Sequence, residues 1–354
     1  MKKAWQEKSI ILNHSDLENI KQNIRENKLK FHQFYNSDFA ANEYPFYEYL
    51  ARYKDLDQRY WESKILNKTY YDIETWFDPL KAPDAKLAEF KITSIAAYNN
   101  IQNEAVIFLL KDMNHKQEKD QILIQIKKIY QESIDYNKTY NVPDIDIQLK
   151  YFDSETDLIV AFFKQVLDWN TMFLIGFNNM IFDDPYTINR LTKLIGADKV
   201  PLIVSEFGIL EKFGDFNFEQ PDYMRVDLLK LYKPVDQGGS GMGSSLPSYK
   251  LDAIAEEELG INKLDLQGNF NEVFQHNVAR FAAYNLLDVL LTFKLDQKLQ
   301  FIENTYALAK INLASVRSTI TGRSFMFKFR NTFHYYIEEN LLIRNNLFNK
   351  EIFS

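Results

Sequence analysis

The sequence contains no cysteine. That excludes disulfides, thiolate zinc centres and cysteine nucleophiles together, and it suits a reducing compartment. Glycine and proline are scarce, 11 and 9 residues in 354, which argues against long disordered tracts. The five histidines show no ligand spacing. No apolar run approaches the roughly 20 residues needed to span a bilayer. The opening Met-Lys-Lys-Ala-Trp-Gln-Glu has charge but no apolar stretch behind it, unlike a signal peptide. A cytoplasmic location without a membrane partner is therefore expected. Excess positive charge is also missing. The net charge of −7 weighs against a plain phosphate-binding surface, but a site that gathers metal cations carries acids at its centre, and the bound ions invert the local field.

What is present belongs to a globular protein: 46% hydrophobic and 26% charged residues in a length that suits about two domains. From Ser15 a helical period runs through Leu17, Ile20 and Ile24, with Ser15 or Asp16 as cap. Residues 31–61 are dense in aromatics, including Phe34, Tyr35, Tyr44, Phe46, Tyr47 and Tyr53. They read first as the core of a small N-terminal α+β domain over 1–65, and second as a base-stacking surface. Thr69–Thr75, Lys91–Tyr98 and Ala105–Leu110 carry strand-forming residues joined by short turns, which predicts an antiparallel meander. The segment Lys116–Tyr136 reads as a charged, amphipathic helix making a surface excursion. A strand over Ile145–Phe152, a helix over Glu155–Asp168 capped near Asp153 or Ser154, and a strand over Met172–Gly176 predict a parallel crossover. Meander followed by parallel βα units is the layout of an α/β ribonuclease H-like fold, placed here at 66–299. The run Gly238–Ser245 reads as a mobile loop, and the chain beyond Lys250 as mostly helical.

Four acids sit where local structure aims them at a common point. Asp72 and Glu74 are two apart on a strand, so both carboxylates face one side; any exposed strand can show that pattern. Asp183 follows a strand and precedes a helix that Pro185 can open with Asp184 as cap; both aspartates could instead merely cap. Tyr284 and Asp288 are four apart on one helix face. An acid within Leu-Leu-Asp-Val-Leu-Leu must be paired or metal-bound to be buried, and an ion pair with a distant Lys or Arg is the plainer alternative.

Taken in order, Asp72-x-Glu74, Asn178-x₃-Phe182-Asp183 and Tyr284-x₃-Asp288 resemble the three exonuclease motifs of family B DNA polymerases, and the middle block looks like those of tailed bacteriophages. Val226–Tyr232 and Ser248–Gly260 resemble the same family. The resemblance implies a 3′→5′ proofreading exonuclease of the tyrosine DEDD class. In it Asp72, Glu74, Asp183 and Asp288 hold two divalent metals, Mg²⁺ or Mn²⁺. Tyr284 orients the attacking water, and Asn178 and Phe182 help hold the 3′-terminal nucleotides of a single strand or primer-template. The segment of Ser248, Lys250 and Leu251 would contact DNA, although Lys250 stands where the family usually has Ser or Thr. The family also has a Lys upstream of motif three. An ungapped reading back from Tyr284 finds Glu272 there, so the cation is either missing or supplied from elsewhere, for example by Lys263. Ser205–Pro221, with Gly208 and Gly214 as turns, suits either the family's strand-parting hairpin or an ordinary loop.

No Ser-Leu-Tyr-Pro-Ser segment and no Asp-Thr-Asp motif occurs, so nucleotide addition is not expected of these residues. A partner chain carrying the polymerase palm, or a missing C-terminal half, is expected instead. Residues 300–354 resemble the family's helical connector returning to the N-terminal domain, with Lys310, Arg317, Arg323, Lys328 and Arg330 as its basic residues. A catalytically silent strand-binding module and a ribonuclease of the same fold are the alternatives.

Overall fold

A computed structural model describes residues 65–312 and residue 316, apart from 77, 79, 215, 234–238, 240, 241 and 262. The chain divides into two compact units, and the architecture that follows is that of Ser63–Leu308. The helix expected from Ser15, the aromatic segment 31–61, most of the basic tail and residues 238, 240 and 241 of the glycine run lie outside the described residues.

Strands β1 (Lys68–Thr75), β2 (Ile92–Asn99) and β3 (Glu104–Leu110) pair antiparallel in succession, the expected meander. The β2–β3 turn is closed by the Asn99 side-chain Oδ1, which accepts the N–H groups of Ile101 and Gln102, as an Asx turn does. Helix α1 (Lys119–Tyr136) corrects one expectation. It is no surface excursion: Ile122, Ile126 and Tyr130, four residues apart, form a buried stripe, and the helix packs against α8 (Val278–Leu299). Its charges dominate the composition, but they occupy the other face.

Ser154 caps α2 (Glu155–Asp168) by accepting the Asp157 N–H. This helix links β4 (Asp146–Phe152), parallel to β3, with β5 (Phe173–Gly176), parallel to β1. The crossover thus spans the whole meander. Strand β8 (Met224–Asp227) adds parallel to β5, giving the order β4-β3-β2-β1-β5-β8. A mixed six-stranded sheet flanked by helices is the ribonuclease H-like fold expected.

Between β5 and β8 come α3 (Asp183–Ile195), α4 (Val200–Val204) and a hairpin of β6 (Glu211–Phe213) with β7 (Asn217–Glu219). Gly214 turns that hairpin at φ +67°, and Gly208 precedes it at φ +63°, conformations that glycine adopts without strain. Helices α5 (Leu228–Tyr232), α6 (Leu251–Leu259), α7 (Phe270–His276), α8 and α9 (Phe301–Asn312) complete the described chain. Among the described residues no helix is long and apolar enough to cross a membrane.

Two features of this framework make a site. The β1–β5 register ends at Tyr70↔Ile175, so the second half of β1 has no parallel neighbour and the sheet opens there. Helix α8 packs on β1 and β2. The alternate β1 residues Lys68, Tyr70 and Asp72 meet its polar side chains: Lys68 and the Tyr70 hydroxyl both reach Asp296 at 2.6 Å, and Asp72 is held from Asn285.

Candidate metal centre and strand cleft

Asp72 and Glu74 project from the open half of β1, and Asp288 comes from α8. One carboxylate oxygen of each lies within 4.8 Å of the others. Asp183 reaches the same stretch of strand from the start of α3. Its Oδ1 accepts the N–H of Ile73 at 3.2 Å, taking up a strand donor between the two acids of β1. Three of the four acids singled out in the sequence therefore meet, and the fourth, Asp183, is tied to the strand between two of them.

The loop between β5 and α3 is tightly built. Asn178 stands in the left-handed region at φ +65°, and its N–H is received by Asp227 Oδ1 at 2.9 Å. That oxygen also caps α5 through Leu229 and Lys230. A Cβ on Gly176 would lie 2.5 Å from that of Asn179, so this close approach requires glycine. The expectation that Asp184 caps a helix opening at Pro185 is wrong. Helix α3 begins at Asp183, and its N-cap position, Phe182, makes no side-chain cap. Asp184 turns inward and accepts from the Tyr71 hydroxyl (2.5 Å), the Asn179 amide (2.9 Å) and the Arg225 guanidinium (2.5 Å). A buried carboxylate needs such donors more than a helix end needs a cap. Adjacent aspartates thus face opposite ways, Asp183 toward the other acids and Asp184 into the core.

Lys263 supplies the positive charge for this cluster. Its ammonium lies 2.6 Å from Asp288 Oδ2 and donates to the Tyr284 hydroxyl at 3.2 Å, and stands 5.1 Å from the centre of the Tyr284 ring. The plainer reading of Asp288, as half of an ion pair, is met by Lys263, and Asp288 also stands beside Asp72 and Glu74. Glu272, which the ungapped register put in this role, is exposed on α7 and accepts nothing from the cluster.

One cation against four acids leaves the carboxyls hard to ionise. Burial first, then the Asp288 charge, push Asp72 up to about 7. Burial, then Asp72 and Asp288, hold Glu74 well above the usual range. Burial and Asp72 do the same for Asp183. Burial also raises Asp288, against the pull of Lys263. For Lys263 itself burial opposes the charge, yet Asp288 outweighs it and holds the ammonium above its ordinary value. Oxygen donors alone, with surplus negative charge, fit hard divalent cations.

Beside the cluster lies a cleft of about 970 Å³. Tyr284 and Lys263 form one wall, and of the expected DNA contacts Asn178, Lys250 and Leu251 line it. Phe182 instead packs on Tyr186, with ring centres 5.2 Å apart, and Ser248 Oγ accepts the Lys250 N–H; neither is among the lining residues. Sequence reading missed Phe177, Lys233, Tyr249 and Phe270, which share the lining. It also missed Asn285, whose only signal was an amide inside an apolar helical run.

Comparison with known proteins agrees with this geometry. The DNA-directed DNA polymerase of Escherichia phage RB69 is 27% identical over 289 residues, covering 77% of this chain and 30% of the relative. That of Enterobacteria phage T4 is 24% identical over 267 residues, covering 73% and 29%. The DNA polymerase of Autographa californica nuclear polyhedrosis virus is 26% identical over 250 residues, covering 67% and 22%. The chain thus spans less than a third of the length of these relatives. The family model for the exonuclease domain of DNA polymerase family B matches residues 47–254, a span that stops before Tyr284 and Asp288, which the fold brings in on α8. Since that match covers more than half of the chain, the protein belongs to the exonuclease-domain family of the family B DNA polymerases.

Proposed function

We propose that this chain hydrolyses phosphodiester bonds at DNA 3′ ends, as the proofreading exonuclease of a family B polymerase. The observation that carries the reading is the convergence of Asp72, Glu74 and Asp288 within 4.8 Å, with Asp183 on the intervening strand N–H. These four would hold two divalent cations, Mg²⁺ or Mn²⁺ rather than zinc, because their donors are hard oxygens. When bound, such a pair supplies an acidified water and stabilises charge on the leaving 3′ oxygen.

The chain's own groups do the rest. The Tyr284 hydroxyl accepts from Lys263, which fixes it at the cleft wall to orient an attacking water. Phe177, Tyr249 and Phe270 offer ring faces to unstacked bases, and Lys233 and Lys250 offer charge to the backbone, the combination that single strands favour. Asn178 and Leu251 line the same path. Phe182 and Ser248 are left to contacts a bound strand makes outside the cleft. Nucleotide addition falls to a palm-bearing partner chain or C-terminal half, and the place of work to the cytoplasm, that of a bacterial host for a phage protein.

The test is release of a 3′ label from a single-stranded DNA oligonucleotide in Mg²⁺, Mn²⁺ or EDTA, beside the Asp72→Ala/Glu74→Ala variant. Label should be lost only with metal and only from the wild type, with the variant still folded. Equal release by the variant, or none by the wild type in either metal, refutes the reading.

A further inference from the structure

Asn285 is fully buried on α8, in a run where leucine would cost nothing. Its Nδ2 donates to Asp72 Oδ2 at 2.9 Å and reaches the Asp72 carbonyl oxygen at 3.4 Å. Its Oδ1 accepts the hydroxyl proton of Ser94 at 2.8 Å. Ser94 is itself fully buried, on β2 directly across from Glu74. A directed line of hydrogen bonds therefore runs from the Ser94 hydroxyl through the Asn285 amide to the Asp72 carboxylate. An amide accepts at its oxygen and donates at its nitrogen, and burying one is costly unless both ends are used.

We propose that Asn285, held by Ser94, is a positioning residue that sets the Asp72 carboxylate for cation binding. The inference rests on the metal-site reading above. A strand carboxylate can turn about its last bond. The Asn285 donor stops that rotation and takes one oxygen, leaving the other for a cation. Ser94 prevents the amide from flipping, which would turn an acceptor onto the carboxylate. Partners of this kind behind a ligand are worth about 10- to 100-fold in metal affinity.

The test is calorimetric titration of the full chain with Mn²⁺, in parallel with thermal unfolding in EDTA. Asn285→Leu should keep its cooperative unfolding and bind Mn²⁺ about 10- to 100-fold more weakly, with cleavage partly recovered at higher Mn²⁺ rather than lost outright. Ser94→Ala should weaken binding less, and should add little to Asn285→Leu because both act through one bond. A folded Asn285→Leu that binds Mn²⁺ as the wild type does overturns the inference. Should that variant fail to fold, unchanged binding by Ser94→Ala overturns it alone. A wild type that binds no Mn²⁺ is a different failure, and removes the metal site itself.

Discussion

Replacing Lys263 by methionine should destabilise the protein without metal, rescue much of that loss with metal, and tighten metal binding while slowing cleavage. Methionine keeps an unbranched stem of similar length, so the change is chiefly loss of the ammonium, including its contact with the Tyr284 ring. The Lys263 and Asp288 side chains are 24% and 7% exposed and 2.6 Å apart. Breaking a fully buried pair costs about 3–5 kcal/mol, and an exposed pair about 0–1. With one partner a quarter exposed, about 2 kcal/mol is expected. The loss has a ceiling, because the orphaned acids can take up a proton instead; it should be smaller at pH 6 than at pH 8. Bound cations replace the missing charge, so the deficit in saturating Mn²⁺ should fall below about 1 kcal/mol. By linkage, the difference between the two states returns as roughly tenfold tighter Mn²⁺ binding. Urea unfolding in EDTA and in Mn²⁺, with calorimetry, measures both. An equal deficit in the two conditions, or unchanged Mn²⁺ affinity, would show that Lys263 does not stand in for a cation.

Three further outcomes follow from the same geometry. Tyr284→Phe should slow cleavage by a smaller factor than Asp288→Asn, since it removes one hydrogen bond and leaves the ligand set whole; single-turnover rates at saturating metal decide it, and the reverse order would refute the assignment. Arg225→Met strands the Asp184 carboxylate in the core and should cost about 3–5 kcal/mol whether or not metal is present, in contrast to Lys263; a metal-dependent loss in urea unfolding would count against that separation. Asp227 is pushed by burial from 3.8 to about 6 in the folded chain, so its ionisation costs nothing below pH 4 and progressively more up to pH 6. Asp227→Asn keeps an acceptor for the Asn178, Leu229 and Lys230 N–H groups. Its stability relative to the wild type should therefore rise across pH 4–6, by up to about 3 kcal/mol, and then level off; a difference flat in pH would refute the cost.

The parts of the fold legible in the sequence were those set by local chemistry. The meander was marked by its strand-forming runs, although the β1–β2 connection is longer than the short turn expected, α2 was marked by Ser154, and Gly208 and Gly214 offered turns for a hairpin that an ordinary loop suited as well. Helix α1 was misjudged because its charges were counted before its stripe of Ile122, Ile126 and Tyr130 was placed on a partner. Nothing near residue 119 says that a helix 160 residues later lies beneath it. The same limit governed α3. Asp184-Pro185 has the local form of a cap, but whether an aspartate caps or turns inward depends on Arg225 and Tyr71, donors that only the assembled sheet delivers.

The site divides along the same line. Asp72 with Glu74, and Tyr284 with Asp288, could be paired from spacing alone, because strand and helix periods put each pair on one face. What those faces meet could not be read locally. Lys263 was one loose suggestion among the lysines until the chain between α6 and α7 brought its ammonium to Asp288. Phe177, Tyr249 and Phe270 come from three separate segments and look like ordinary core aromatics until one cleft gathers them. Asn285 is the sharpest instance. It stands inside the recognised Tyr284–Asp288 block, yet its neighbours are leucines and its own helix gives it no partner. Its meaning comes from Ser94, 191 residues away, and from the Asp72 carboxylate that the line of bonds ends on. Spacing thus identifies which acids can meet, while the buried groups that fix how they are held appear only when distant elements are packed together.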